Sequence, residues 1–126
     1  MRYEEFIFRV QERSGLETAE EARQVSQAAM TVLGECLTGE EAGDLASQLP
    51  AGLEEYLVRE EGSERAAGLL LEEFYQRVAR RAGIKSGEAE TRSWAVAKAL
   101  EEAVSEGEIQ DLRSLLPDEL ERLFER

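Results

Sequence analysis

Four acidic residues return at matched places along this chain. Asp44 and Asp111 share a local context, as do Glu41 and Glu108, Glu54 and Glu121, and Glu35 and Glu102. Paired carboxylates brought together could hold a hard divalent cation or divide acid and base roles between them. Asp44 and Asp111 are the candidates for such a metal site, which would need several converging oxygens. Structural roles explain the same residues more cheaply. Glu41 and Glu108 follow Thr38 and Ser105 by three residues, the spacing of a capping box. Asp44 and Asp111 fall early in short helices, where negative charge complements the helix dipole. They could also pair with the recurring arginines Arg9/Arg77 or Arg13/Arg81. The expectation is that these acids are structural.

Other chemistry has fewer supports. The chain has 0 His, which removes Ser-His-Asp and Cys-His catalysis and most zinc sites. Cys36 is the sole cysteine, and it falls on an apolar helical stripe with Ala103 at the matched position, so it reads as a small core residue. No Gly-rich phosphate loop of a common type is present. The stretch TGEEAGDLASQLP has the flavour of a helix-turn-helix, but PAGLEEYLVREEG follows it and is acidic where DNA contacts would fall. No catalytic residue and no cofactor are expected.

The elements that position these residues come from a repeated sequence. Residues 4–16 align with 72–84 at seven identical positions of thirteen, including Phe6/Phe74, Arg9/Arg77 and Gly15/Gly83. With one residue dropped in the next loop, 22–57 aligns with 89–124 at thirteen of thirty-six, including Leu45/Leu112 and Pro50/Pro117. The expected organisation is a single domain, 1–126, made of a first helical repeat (1–58) and a second (63–126). Arg59 to Ser63 is read as the hinge between them.

Each repeat reads as four helices, giving an all-α bundle of about eight helices in two pseudo-symmetric halves. Tyr3, Phe6, Ile7 and Val10 recur at i, i+3, i+4, i+7 and share one face. Ser14-Gly15 stops that helix, Thr18 with Glu21 and Thr38 with Glu41 open the next two, and Pro50 opens a fourth. The second repeat uses Gly83, Ser86, Ser105 with Glu108, and Pro117 in the same way. Its first helix is expected to reach backwards from Leu71 through Leu70, Leu69, Ala67 and Ala66 to Ser63. Phe8 and Trp94 lie off the apolar stripes, with Gln76 and Gln27 at their matched positions, and are expected to form the inter-repeat packing seam.

The stretches YEEFIFRVQERSGL and VLGECLTGEEAGDLASQLPAGLEEYL, each followed by a second round, resemble the bacterial domain-of-unknown-function family DUF2267 over essentially the whole chain. That resemblance implies an all-helical bacterial protein and brings no activity. Leu115 stands in the second copy where the first has Gln48, so the glutamine's role need not be repeated.

Charge narrows the partners. The net charge is −13, which disfavours nucleic acid and anionic membranes and would steer basic partners toward the protein. A single cysteine fits a reducing compartment. MRYEEFIFRV places two glutamates where a signal peptide needs an apolar run. A cytoplasmic location is therefore expected. The functional expectation is a non-enzymatic acidic helical module for protein interaction, self-association or structure. The alternative is a protein binding a small ligand or divalent cation in the cleft between repeats.

Overall fold

The computed structural model describes residues 1–57 and 65–125. The spacing of Phe6, Ile7 and Val10 folds as α1 (Tyr3–Ser14), with those three side chains buried. Thr18 starts α2 (Ala19–Glu35), its hydroxyl accepting from the Glu21 N–H at 3.2 Å. A complete capping box starts α3 (Gly39–Ala46): the Glu41 N–H donates to the Thr38 hydroxyl, and the Thr38 N–H donates to the Glu41 carboxylate at 2.9 Å. A 3-10 helix over Glu54–Leu57 ends this half. The second half runs through α4 (Leu71–Ala82), α5 (Ser86–Ala103), α6 (Glu106–Leu115) and a 3-10 helix over Asp118–Phe124. Among the described residues there is no strand, and the all-α bundle expected from the sequence is what forms.

Three boundaries differ from the sequence reading. The helix expected to reach back to Ser63 begins instead at Leu71. Gly68 adopts φ 75° and turns the chain, and Leu70 is extended at φ −79°, ψ 153°, with its N–H held by the Glu73 carboxylate at 2.9 Å. Ser63 itself, like the expected hinge Arg59 to Ser63, lies outside the described residues. Pro50 does not open an α-helix: Gly52 at φ 107° breaks the helical path, leaving only the short 3-10 segment. Ser86 is the first residue of α5 and not its cap, the N-cap position being Lys85.

The helices pack crosswise. α1 lies against α5 as well as α2, and α4 lies against α2 as well as α5, so the first helix of each half leans on the second helix of the other. Phe6 and Phe74 are fully buried at matched positions, each worth about 1.5–3 kcal/mol of hydrophobic stabilisation. α2 and α5 carry many small buried residues, among them Ala22, Ala28 and Ala29 on one and Ala89, Ala95 and Ala99 on the other. Cys36 is buried, its thiol donating to the Val32 carbonyl at 3.5 Å. Ser26 and Ser93, also at matched positions, are buried with no hydroxyl partner among the described residues.

Candidate functional site

The recurring arginines find carboxylates, though not the aspartates named by the sequence. Arg77 Nη1 and Arg81 Nη2, one turn apart on α4, both pair with Glu35 at the end of α2, at 3.0 and 2.8 Å. Arg9 and Arg13 on α1 both pair with Glu102 near the end of α5. Each cluster therefore ties the first helix of one half to the second helix of the other, and each uses sequence-matched residues. The α2 terminus is held further by the Ala66 N–H, which donates to the Glu35 carbonyl at 2.7 Å. Arg9 also reaches Glu5 at 2.9 Å, and that guanidinium holds the Glu5 carboxyl below its ordinary range.

Asp44 and Asp111 belong to a different neighbourhood. Burial, then the charge of Asp111, then that of Asp44, push the Glu108 carboxyl above its usual range. An acid from each half thus acts on the same group. Among the described residues, however, no three His, Cys, Asp or Glu side chains converge closely enough to hold a metal ion. The other recurring acids are occupied locally. Glu41 closes its capping box, and Glu54 accepts from the Gly52 N–H at 2.7 Å.

Gln48 was singled out only as a difference between the halves, and its role emerges here. At α6 the Ser105 hydroxyl accepts from the Glu108 N–H, but the Ser105 N–H donates across to the Gln48 amide oxygen at 3.2 Å. Gln48 Nε2 then approaches Glu108 at 3.4 Å. The glutamine of the first half supplies the acceptor that Glu41 supplies within its own box. Leu115, its matched residue, has no polar atom with which to do so.

Phe8 does not form the expected seam. It is 58% exposed, because at 100° per residue it falls on the side of α1 opposite the Phe6, Ile7, Val10 stripe that faces the core. Trp94 is half-buried within α5.

An open groove lies at the start of the second half. Leu71, Glu72 and Tyr75 from the first turns of α4, Ser86, Gly87 and Glu90 from α5, and Glu119 and Arg122 from the last 3-10 helix enclose about 420 Å³. The Glu119 carboxylate accepts from the Leu71 N–H at 3.1 Å and so fixes one wall. At the matched place in the first half a partly buried aromatic ring packs on a glycine. Tyr3, which corresponds to Leu71, packs its ring so close to Gly52, which corresponds to Glu119, that a Cβ on Gly52 would stand 3.1 Å from the ring. Its hydroxyl meets that of Tyr56 at 3.5 Å. Burial, and then that hydrogen bond, push the Tyr3 phenol up to about 12. Sequence reasoning missed the groove because its walls come from three separated segments, each of ordinary composition.

A second hollow, of about 300 Å³, is lined by Glu35, Arg77, Arg80 and Arg81. No helix among the described residues is long and apolar enough to cross a membrane. A family model described as Uncharacterized conserved protein (DUF2267) matches residues 3–123. No curated protein matches the chain.

Proposed function

The chain belongs to the DUF2267 family, and from that premise we propose that it is a non-enzymatic interaction module of the bacterial cytoplasm that binds basic, partly apolar protein segments. Two helical repeats, 1–58 and 63–126, would form its scaffold as one domain. The observation that carries the reading is how charge is distributed. The chain has 15 Lys and Arg against 28 Asp and Glu. Arg9, Arg13, Arg77 and Arg81 are engaged in the two interhelical clusters, and Arg23 and Arg92 pair within their own helices. Much of the positive charge is thereby neutralised within the fold, and the surplus carboxylates face outward. A field of that sign raises the encounter rate with cationic partners and repels nucleic acid and anionic lipid. The burial of Cys36 and the lack of histidine support a role without covalent or general-base chemistry.

Binding to an amphipathic Lys/Leu peptide, compared with a Glu/Leu peptide, tests the proposal by fluorescence anisotropy. Binding of the basic peptide alone, weakening as salt rises, is expected. Equal binding of both peptides, or of neither, overturns it. Size-exclusion chromatography with light scattering reports self-association in the same samples.

The alternative, a divalent-cation or small-ligand protein, draws on one observation: Asp44 and Asp111 both act on Glu108. It calls for a rise in Tm with Ca²⁺ or Mg²⁺ that is lost in Asp44→Ala with Asp111→Ala. A Tm unchanged by either ion removes it.

A further inference from the structure

The chain carries 28 Asp and Glu against 15 Lys and Arg, yet the last turns of α4 are basic. Arg77, Arg80 and Arg81 line the hollow of about 300 Å³ together with Glu35 from the end of α2. Arg77 and Arg81 each place one terminal nitrogen on Glu35, and a guanidinium carries five N–H donors in a fixed fork. Arg80 makes no ion pair among the described residues. Three guanidiniums against one carboxylate leave two positive charges. The ends of α2 and α4 each contribute about half a negative charge, so about one positive charge remains once those dipoles are counted.

The matched place in the first half has the opposite sign. Arg9 and Arg13 meet Glu102 there, Arg9 is also drawn to Glu5, and Glu12 stands where the second half has Arg80. Glu73, the counterpart of Glu5, accepts instead from the Leu70 N–H at the start of α4. A second hollow, of about 360 Å³, is lined by Gln24, Gln27, Ala28 and Thr31 of α2 and by Arg81 and Ala82 of α4. Arg81 belongs to both hollows, so the basic one continues into one walled by amides and a hydroxyl. In the first half Trp94 stands at the position of Gln27.

We infer that the two hollows together form a binding site for a small soluble molecule that carries a phosphate group on a polar body. The phosphate oxygens accept from the forks of Arg77, Arg80 and Arg81, a geometry guanidinium suits better than ammonium does. Glu35 fixes two of those forks. The polar body lies along Gln24, Gln27 and Thr31, whose amides and hydroxyl both donate and accept. Charge limits the size of the occupant. A net charge of −13 repels extended polyanions such as nucleic acid or an anionic lipid surface. A compact anion answers to the local field, because exposed charges beyond about 8–10 Å are largely screened at physiological salt. This site goes beyond the binding of basic segments and does not depend on it.

Isothermal titration calorimetry at constant ionic strength, balanced with sodium chloride, tests the site with inorganic phosphate and glycerol 3-phosphate. Both should bind, glycerol 3-phosphate tighter by about threefold or more. Arg80→Glu installs the charge of Glu12 and should weaken both by about tenfold or more. Arg80 is exposed, so circular dichroism should stay helical. Arg122→Glu makes the same charge change outside the hollow, and should weaken them by less than about threefold. Gln27→Trp copies the first half, and should remove the advantage of glycerol 3-phosphate while sparing inorganic phosphate. If that variant fails to fold, the two probes on the unaltered protein decide that point. Equal weakening by the two charge reversals would overturn the site, since the field of the whole protein would then be all that acts. Binding of neither probe to the unaltered protein would overturn it too. Equal affinity for the two probes would overturn the assignment of a polar body to the second hollow. Each of these failures leaves the Lys/Leu peptide result, and the reading tied to it, untouched.

Discussion

At the start of α1 the chain closes on itself, and at the start of α4 it does not. Tyr3 packs on Gly52 and meets Tyr56, which gives the first half an aromatic corner. Leu71 covers less, and Glu119 holds its N–H without filling the space, so the second half ends in a hollow. Elsewhere the halves agree closely. Phe6 and Phe74 are buried alike, and Glu35 and Glu102 each gather two arginines from the opposite half. The lesson is that matched residues keep matched roles where they pack in the core or pair between helices, and differ where Tyr3 stands against Leu71 and Gly52 against Glu119.

The largest test of that agreement is in the core. Phe6→Ala and Phe74→Ala should each cost about 3–5 kcal/mol in urea denaturation, through lost burial and the cavity left behind. The two values should agree, because both rings are fully buried at matched positions. A loss confined to one of them would mean that the halves do not share one cooperative core.

The next test acts on the difference. Gly52→Ala forces a side chain into a positive-φ position and against the Tyr3 ring, which should cost about 1–3 kcal/mol. Tyr3→Leu in the same chain should recover part of that loss, since it removes the clash and leaves the backbone strain. Unchanged stability in Gly52→Ala would show that the Tyr3 ring is not closely packed on Gly52, and the contrast with the groove would collapse.

What could be read from the sequence follows the range of the interactions. Helix type, the stripes of Phe6, Ile7 and Val10, and the box at Thr38 depend on neighbours three or four residues away, and they formed as read. The family resemblance also held, over residues 3–123. The backward extension of α4 failed because a single left-handed glycine, Gly68, outweighs a run of helix-forming alanines and leucines. Phe8 was read as buried from its size, yet helical phase put it in water. Arg9/Arg77 and Arg13/Arg81 were legible as recurring residues, but Asp44 and Asp111 were offered as their partners, whereas Glu102 and Glu35 hold them. The choice of glutamate over aspartate was not, because it depends on which helix ends the crosswise packing brings together.

Gln48 gives a smaller test of asymmetry. Gln48→Leu installs the residue of the second half and removes the acceptor of the Ser105 N–H. That donor lies at an exposed helix start, where water can replace the amide, so the expected cost is about 0.5–1 kcal/mol. Leu115→Gln should change nothing measurable, as the first half already has Glu41 on the Thr38 N–H. A large gain from Leu115→Gln would show that the two capping arrangements are interchangeable.

The interhelical ion clusters should contribute less still, because their members are partly solvated and paired side chains lose entropy. Glu35→Gln and Glu102→Gln should each lower Tm by no more than a few degrees, and by similar amounts, with the effect shrinking in high salt. A salt-independent loss from one of them alone would mark that cluster as packing and not charge.

The smallest effect is visible only in alkali, and it belongs to one half alone. The Tyr3 phenol is held up to about 12, above its ordinary value of 10.0. Folding therefore favours the neutral phenol. The stability it contributes is complete below pH 10.0 and is lost as the pH rises toward about 12. An ultraviolet titration should show a late tyrosinate component that is reduced in Tyr3→Phe, and the alkaline loss of stability should shrink with it. The second half has no counterpart, since Leu71 cannot ionise. If the late component survives in Tyr3→Phe, the raised phenol belongs to another tyrosine and the contrast between the Tyr3 corner and the groove loses its support.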